Sequence, residues 1–250
     1  MTKQNKRVIL VTGASRGVGK GIAEGIAQPG DIIICAARSM VEGTTVQQFG
    51  FEINSSLEDT VKNINEKGAQ GIPYEIDLNK PDEILNLATF VKEEFGCLDL
   101  LIHAACQIHD DLVTPKPYWE KSLDLWSVMD VGLKSNYFLS HALTPLMIES
   151  KGKLILQISS HGAMCYMHGP IYGAQKAAID KMAFDMAHDL KPFNICSLSL
   201  WSGIVKDEKT QKVSEQHGEQ YAEFLKGAAS QEYAGMVICL LYTSPSPRDN

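Results

Sequence analysis

The sequence predicts an α/β protein in which a doubly wound parallel sheet is flanked by helices, all in a single domain. Three observations carry this. Short apolar runs alternate with segments of helical period along the whole chain. The first run ends in a glycine-rich turn that opens directly into a helix. The length of 250 residues, 44% apolar and 21% charged, suits one globular domain with a sizeable core.

Residues 7–11 form a short apolar strand that runs into Thr12-Gly13-Ala14-Ser15-Arg16-Gly17-Val18-Gly19-Lys20-Gly21. A helical pattern follows through Ile22, Ala23, Ile26 and Ala27 and stops at Pro29-Gly30. Residues 31–36 are the second strand. Residues 40–56 are polar, contain Gly43 and Gly50, and read as an inserted loop. Ser55 or Ser56 caps a helix through Leu57, Val61 and Ile64, which Gly68 ends. Residues 71–76 are the third strand, closed by Asp77-Leu78, and Pro81 starts a helix through Ile84, Leu87, Ala88 and Val91. Residues 98–105 are the fourth strand. Residues 119–149 read as a long helical region, interrupted or kinked at Pro145, whose apolar side chains could pack on the sheet or on another subunit of a homo-oligomer. Residues 153–158 and 195–200 are the fifth and sixth strands.

Composition narrows the function classes. A formal net charge of −7 disfavours a nucleic-acid partner. No apolar run is long enough to span a bilayer, and no secretory leader precedes the first strand, so a cytoplasmic protein is expected. The six cysteines are scattered without a Cys-x-x-Cys pair and read as reduced thiols. The seven histidines lack metal-ligand spacing, and no metal is expected.

The glycine turn has the spacing Gly-x-x-x-Gly-x-Gly. Its glycines let backbone N–H groups approach a pyrophosphate, whose charge the following helix N-terminus favours. A P-loop is rejected, because the first glycine is misplaced for Gly19-Lys20 and Gly21 stands where Ser or Thr should hold magnesium. After the second strand an acidic residue would bind the adenosine ribose 2′-hydroxyl; Arg38 stands there instead. Together with Arg16 it could hold a 2′-phosphate, which favours NADP (NADPH) over NAD.

Residues 159–176 are the candidate reaction centre. Ser159 and Ser160 sit at the carboxyl end of the fifth strand, where ligands of open α/β sheets bind. Tyr172 and Lys176 lie four apart on one helix face, so phenol, ammonium and hydroxyl can converge. A free tyrosine titrates near pH 10. A lysine charge about 4 Å away contributes roughly 4 kcal/mol at an effective dielectric near 20, which would lower the phenol by up to about three units. Such a phenol can exchange a proton with a carbonyl oxygen.

These residues, in this order and on these elements, resemble the short-chain dehydrogenase/reductase family over residues 7 to 236, with the Rossmann-type fold that the family implies. The resemblance is carried by Thr12-Gly13-Ala14-Ser15-Arg16-Gly17-Val18-Gly19, by Asp77-Leu78, by Ser159-Ser160 and by Tyr172-Gly173-Ala174-Gln175-Lys176. Further stretches at 126–138, Tyr166-Met167 and 199–205 are similar to one subgroup of it. The resemblance implies that Tyr172 is the proton donor or acceptor and that Lys176 lowers its pKa and holds the nicotinamide ribose. It also implies that Ser159 or Ser160 orients the substrate carbonyl. It places Gly13, Ser15, Arg16, Gly17, Val18, Gly19, Arg38, Asp77, Leu78, Ala104, Tyr172, Lys176, Gly203 and Ile204 at the cofactor. The chain departs from the family pattern at several points. The family's Asn-Asn-Ala-Gly is here His103-Ala104-Ala105-Cys106, and its helix asparagine falls on Gly132, with Asp130 and Asn136 as alternatives. Its Pro-Gly becomes Ser202-Gly203, and a threonine that contacts the nicotinamide amide falls on Asp207. Residues 206–227 match the family's variable substrate lid.

The expected function is NADP-dependent interconversion of a carbonyl and an alcohol on a small-molecule substrate. An NADP-binding pseudoenzyme without turnover is the rival reading, and a methyltransferase on the same sheet a third. Residues 239–250 resemble translated sequencing adaptor. The expected domain is therefore residues 1–236, lacking its last strand, followed by a non-native tail at 237–250.

Overall fold

All six expected strands form within two residues of their expected bounds, in a computed structural model that describes residues 6–41, 44–48, 50–150, 152–217 and 225–243. In chain order the main elements are β1 (Val8–Thr12), α1 (Gly17–Ile26), β2 (Ile32–Ala37), β3 (Thr45–Gln48), β4 (Phe51–Asn54), α2 (Leu57–Glu66), β5 (Gln70–Glu75), α3 (Pro81–Phe95) and β6 (Leu100–His103). Then follow α4 (Ser135–Ser150), β7 (Leu154–Ser159), α5 (Pro170–Leu190), β8 (Cys196–Trp201), β9 (Val205–Lys206), α6 (Glu208–His217), β10 (Ala229–Ser230) and α7 (Tyr233–Thr243). Six strands make one parallel sheet in the order β5-β2-β1-β6-β7-β8.

Strand alternation sorts the core into two layers. Val8 and Leu10 face one side, with Leu87, Leu139, Leu143 and Met147 of α3 and α4. Ile9 and Val11 face the other, with Ile22 and Ile26 of α1, Leu57 and Ile64 of α2 and Ile238 of α7. Because both faces are covered, the central strands β1 and β2 are almost wholly apolar rather than alternating with polar residues. Each fully buried Ile or Leu contributes about 1.5–3 kcal/mol. The chain winds outward from β1 to β2 and β5, then returns to β6 beside β1. That reversal opens a crevice above the carboxyl ends of β1 and β6, which is where such sheets bind ligands.

Two expectations are corrected. Residues 40–56 are not simply loop: β3 and β4 pair as an antiparallel hairpin, with Gly50 at φ 80° and Ile53 buried. Its strands carry Gln47, Gln48, Glu52 and Asn54, so no apolar run betrays them; cross-strand backbone bonds make the hairpin. Ser56, not Ser55, caps α2, accepting from the Asp59 N–H at 3.1 Å. The second correction concerns 119–149. Short 3₁₀ turns precede a break at Val131 (φ −104°, ψ 115°) and Gly132 (φ 112°), after which α4 runs through Pro145. The interruption falls at Gly132 because only glycine takes that backbone without strain.

His103, the last residue of β6, is buried and shares a 2.8 Å hydrogen bond with the Ser140 hydroxyl of α4. Burial holds its imidazole down to about 3 from the usual 6.5. Between those values the unfolded chain takes up a proton that the folded chain refuses. Stability therefore falls as pH drops through that window, by up to about 1.4 kcal/mol per pH unit. Urea unfolding across the window should show this slope in the parent, and His103→Asn should flatten it.

Where the sheet begins, Arg7 is buried against Asp31. Its Nε donates to Asp31 Oδ1 at 3.0 Å, a second guanidinium nitrogen pairs with Oδ2, and the Ile26 carbonyl accepts at 3.0 Å. The Tyr242 ring of α7 lies 5.2 Å from the guanidinium. Residues 237–243 thus continue a helix packed on α1, while 244–250 lie outside the described residues.

Candidate active site

The glycine turn fills the crevice between β1 and β6. Gly13 (φ 73°) donates its N–H to the Ala36 carbonyl at 2.7 Å, and a Cβ on it would lie 2.7 Å from the backbone of Ala105. A Cβ on Gly19 would stand 2.1 Å from the Gly13 carbonyl oxygen. The turn therefore closes only with glycine at both places. Gly17 opens α1, whose first turn carries no acidic side chain, and Val18 packs into the core beneath. The Ser15 hydroxyl faces inward, 3.0 Å from that of Ser55. Ala104 follows β6 and, with Ala105, forms the opposite wall of the turn.

At the second-strand side, Arg38 is exposed and Arg16 half-buried. Neither makes an ion pair among the described residues. Burial lowers the Arg16 pKa below its usual value and the nearby Arg38 charge lowers it further, while Asp207 and Glu208 partly offset this. Two adjacent guanidiniums outside any ion pair among the described residues suit an added phosphate dianion. Asp77 lines an open groove with Arg38; its Oδ1 accepts from the Asn79 backbone at 3.1 Å, and Leu78 is buried in the core.

At the carboxyl end of β7 the two serines part. Successive residues of a strand point to opposite faces. Ser159 is buried, and its hydroxyl donates to the Lys176 carbonyl at 3.3 Å. Ser160 turns toward the crevice, 3.1 Å from the Tyr172 hydroxyl, and accepts from the Gly162 N–H at 3.2 Å. Tyr172 stands in the first turns of α5, against Leu112, Leu125 and Val128, which shield one side of its ring from water. The buried Lys176 ammonium donates to the Ile158 carbonyl at 3.2 Å and lies 5.5 Å from the centre of the Tyr172 ring. Phenol, hydroxyl and ammonium thus meet at one strand end, beside the glycine turn. Residues 7–218 match the family described as short chain dehydrogenase.

The chain belongs to that family.

It is accordingly an NAD(P)-dependent oxidoreductase. Among curated relatives it is 32% identical to human dehydrogenase/reductase SDR family member 1, over 97% of this chain and 76% of that one. It is 30% identical to the 3-oxoacyl-[acyl-carrier-protein] reductase FabG of Buchnera aphidicola, over 88% and 82%. Among solved structures, L-sorbose reductase from Gluconobacter frateurii, complexed with NADPH and L-sorbose, superposes with a TM-score of 0.76 at 22% identity, covering 94% of this chain and 89% of that one. A metagenomic short-chain oxidoreductase in complex with NADP gives 0.74 at 24% identity, over 96% and 91%.

This short chain dehydrogenase departs from the family pattern where α4 begins. Of the three positions considered for the helix asparagine, Asp130 is paired with Lys134 at 2.5 Å. Asn136 is buried, donating to Gln157 Oε1 at 3.3 Å. Gly132 lies at the break, where a Cβ would come 2.7 Å from the Gln175 amide nitrogen. Gln175 is the residue that sequence reasoning missed. Fully buried, it donates to the carbonyls of Val128 and, at 3.1 Å, Val131, which the break deprives of helical partners. It thereby ties the Tyr172 helix to the broken segment. A glutamine in the middle of an otherwise apolar helix face was the available signal. Gly203 (φ 67°) and Ile204 follow β8 and are exposed. Asp207 lies over the glycine turn, with Oδ2 3.2 Å from a Cβ built on Gly17. Among the described residues no helix is long and apolar enough to cross a membrane, and no His, Cys, Asp or Glu cluster could hold a metal ion.

Proposed function

We propose that the chain is an NADP-dependent carbonyl reductase or alcohol dehydrogenase in which Tyr172 moves the proton. The observation that carries this is the 3.1 Å approach of the Ser160 and Tyr172 hydroxyls beside the buried Lys176 ammonium. A carbonyl oxygen placed between the two hydroxyls accepts a hydrogen bond from each. As negative charge builds on that oxygen, Tyr172 donates its proton and Ser160 holds the position. Lys176 stabilises the phenolate left behind. In the alcohol-to-ketone direction the same groups work in reverse. When bound, the nicotinamide supplies or accepts the hydride. Ser159 has no part in this, because its hydroxyl is spent on the Lys176 carbonyl.

The glycine turn, Lys176 and the Arg16–Arg38 pair are the groups that would hold the cofactor, and the two arginines favour NADP. The NADPH and NADP complexes of the structural neighbours support the same choice. Arg38→Asp should reverse the preference, which fluorescence titration of NADPH and NADH reads directly; tighter NADH binding by the parent would refute it. Following NADPH absorbance across a panel of ketones and aldehydes tests the activity. A chain that binds NADPH but oxidises none of it across the panel would be a cofactor-binding protein without turnover.

A further inference from the structure

The segment after β8 arches back over the glycine turn. Its base is fixed: β9 pairs with β10, and the Ala229 N–H donates to the Ile204 carbonyl at 2.9 Å. The next residues lie directly on α1, where a Cβ on Gly21 would stand 2.2 Å from the Gln231 carbonyl oxygen. Gln231 Nε2 in turn donates to Glu208 Oε2 at 3.2 Å. Asp207 is held in a reciprocal cap at the start of α6. Its Oδ1 accepts from the Thr210 N–H at 2.8 Å, and its own N–H donates to Thr210 Oγ1 at 2.9 Å. The second carboxylate oxygen, Oδ2, lies 3.2 Å from where a Cβ on Gly17 would stand. It meets the first residue of α1, on the side of the turn where Arg16 also contributes positive charge. That is the place where helix α1 favours an anion. A carboxylate and a cofactor diphosphate cannot share it without repulsion.

We propose that Asp207 is an intramolecular competitor for the cofactor: its carboxylate stands against Gly17 at the start of α1, and its charge opposes the diphosphate of NADPH there. The inference rests on reading the glycine turn as the cofactor cradle. Asp207 then sets cofactor affinity from outside the turn.

The experiment is fluorescence titration of the full chain with NADPH, comparing the parent with Asp207→Asn and Asp207→Thr at low and high salt. Both replacements keep a side-chain oxygen that can cap α6, so the fold of the segment is retained. The expected result is about tenfold tighter binding in each variant at low salt, with the gap narrowing as salt screens the charge. Equal or weaker binding by the variants would overturn the inference while leaving the cradle reading intact. Weaker binding is what a residue that contacts the cofactor favourably would produce. Absence of NADPH binding in parent and variants alike would overturn the cradle reading, and this inference with it.

Discussion

Tyr172→Phe is expected to lower NADPH-dependent carbonyl reduction by about 10²–10⁴-fold, the usual worth of a positioned proton donor. The ring and its packing against Leu112, Leu125 and Val128 are retained, so the fold and NADPH affinity should barely change. Steady-state kinetics and cofactor titration together separate the two effects. Activity within about tenfold of the parent would remove Tyr172 from the reaction. The two serines supply an internal control. Ser160→Ala should reduce kcat if, as proposed, its hydroxyl shares the carbonyl oxygen with Tyr172, which it approaches to 3.1 Å. Ser159→Ala should leave kcat nearly untouched, because its hydroxyl never reaches the crevice.

Asp31→Asn is expected to destabilise the fold by about 3–5 kcal/mol, because it strands the buried Arg7 charge without its counter-ion. The carboxylate also accepts from the Gln28 backbone at 3.1 Å, so the end of α1 loses a contact as well. Urea unfolding measures the change. Replacing both partners, Arg7→Met with Asp31→Leu, should recover most of the loss, because apolar side chains of similar volume remove the charge and the need for a partner together. A loss below about 1 kcal/mol for Asp31→Asn alone would show that water reaches the guanidinium after all.

Much of the architecture was legible because it is local. Apolar runs at 8–12, 32–37 and 154–159 announce buried parallel strands without alternation, and the glycine spacing after the first of them announces a turn that admits a diphosphate. Tyr172 and Lys176 share a helix face at a spacing of four, so their meeting follows from helix geometry alone. The hairpin of β3 and β4 was not legible, since its polar strands are held by each other's backbone rather than by an apolar pattern.

What the sequence by itself determined about this protein is the order of its main strands and helices, the glycine turn, the Tyr172 and Lys176 pair and the Arg38 that stands where an acid would be. Which of Ser159 and Ser160 approaches Tyr172 belonged to the tertiary structure. Adjacent strand residues point to opposite faces, and only the seating of α5 on β7 decides which face holds Tyr172. The break at Gly132 was likewise decided in three dimensions, by the amide of Gln175 from a helix 43 positions further on (175 − 132) that takes up the carbonyls the break leaves free. So was the position of Asp207 over Gly17, 190 positions apart (207 − 17), which no local pattern encodes because the chain must pass through β8 and fold back onto α1 before the two can meet.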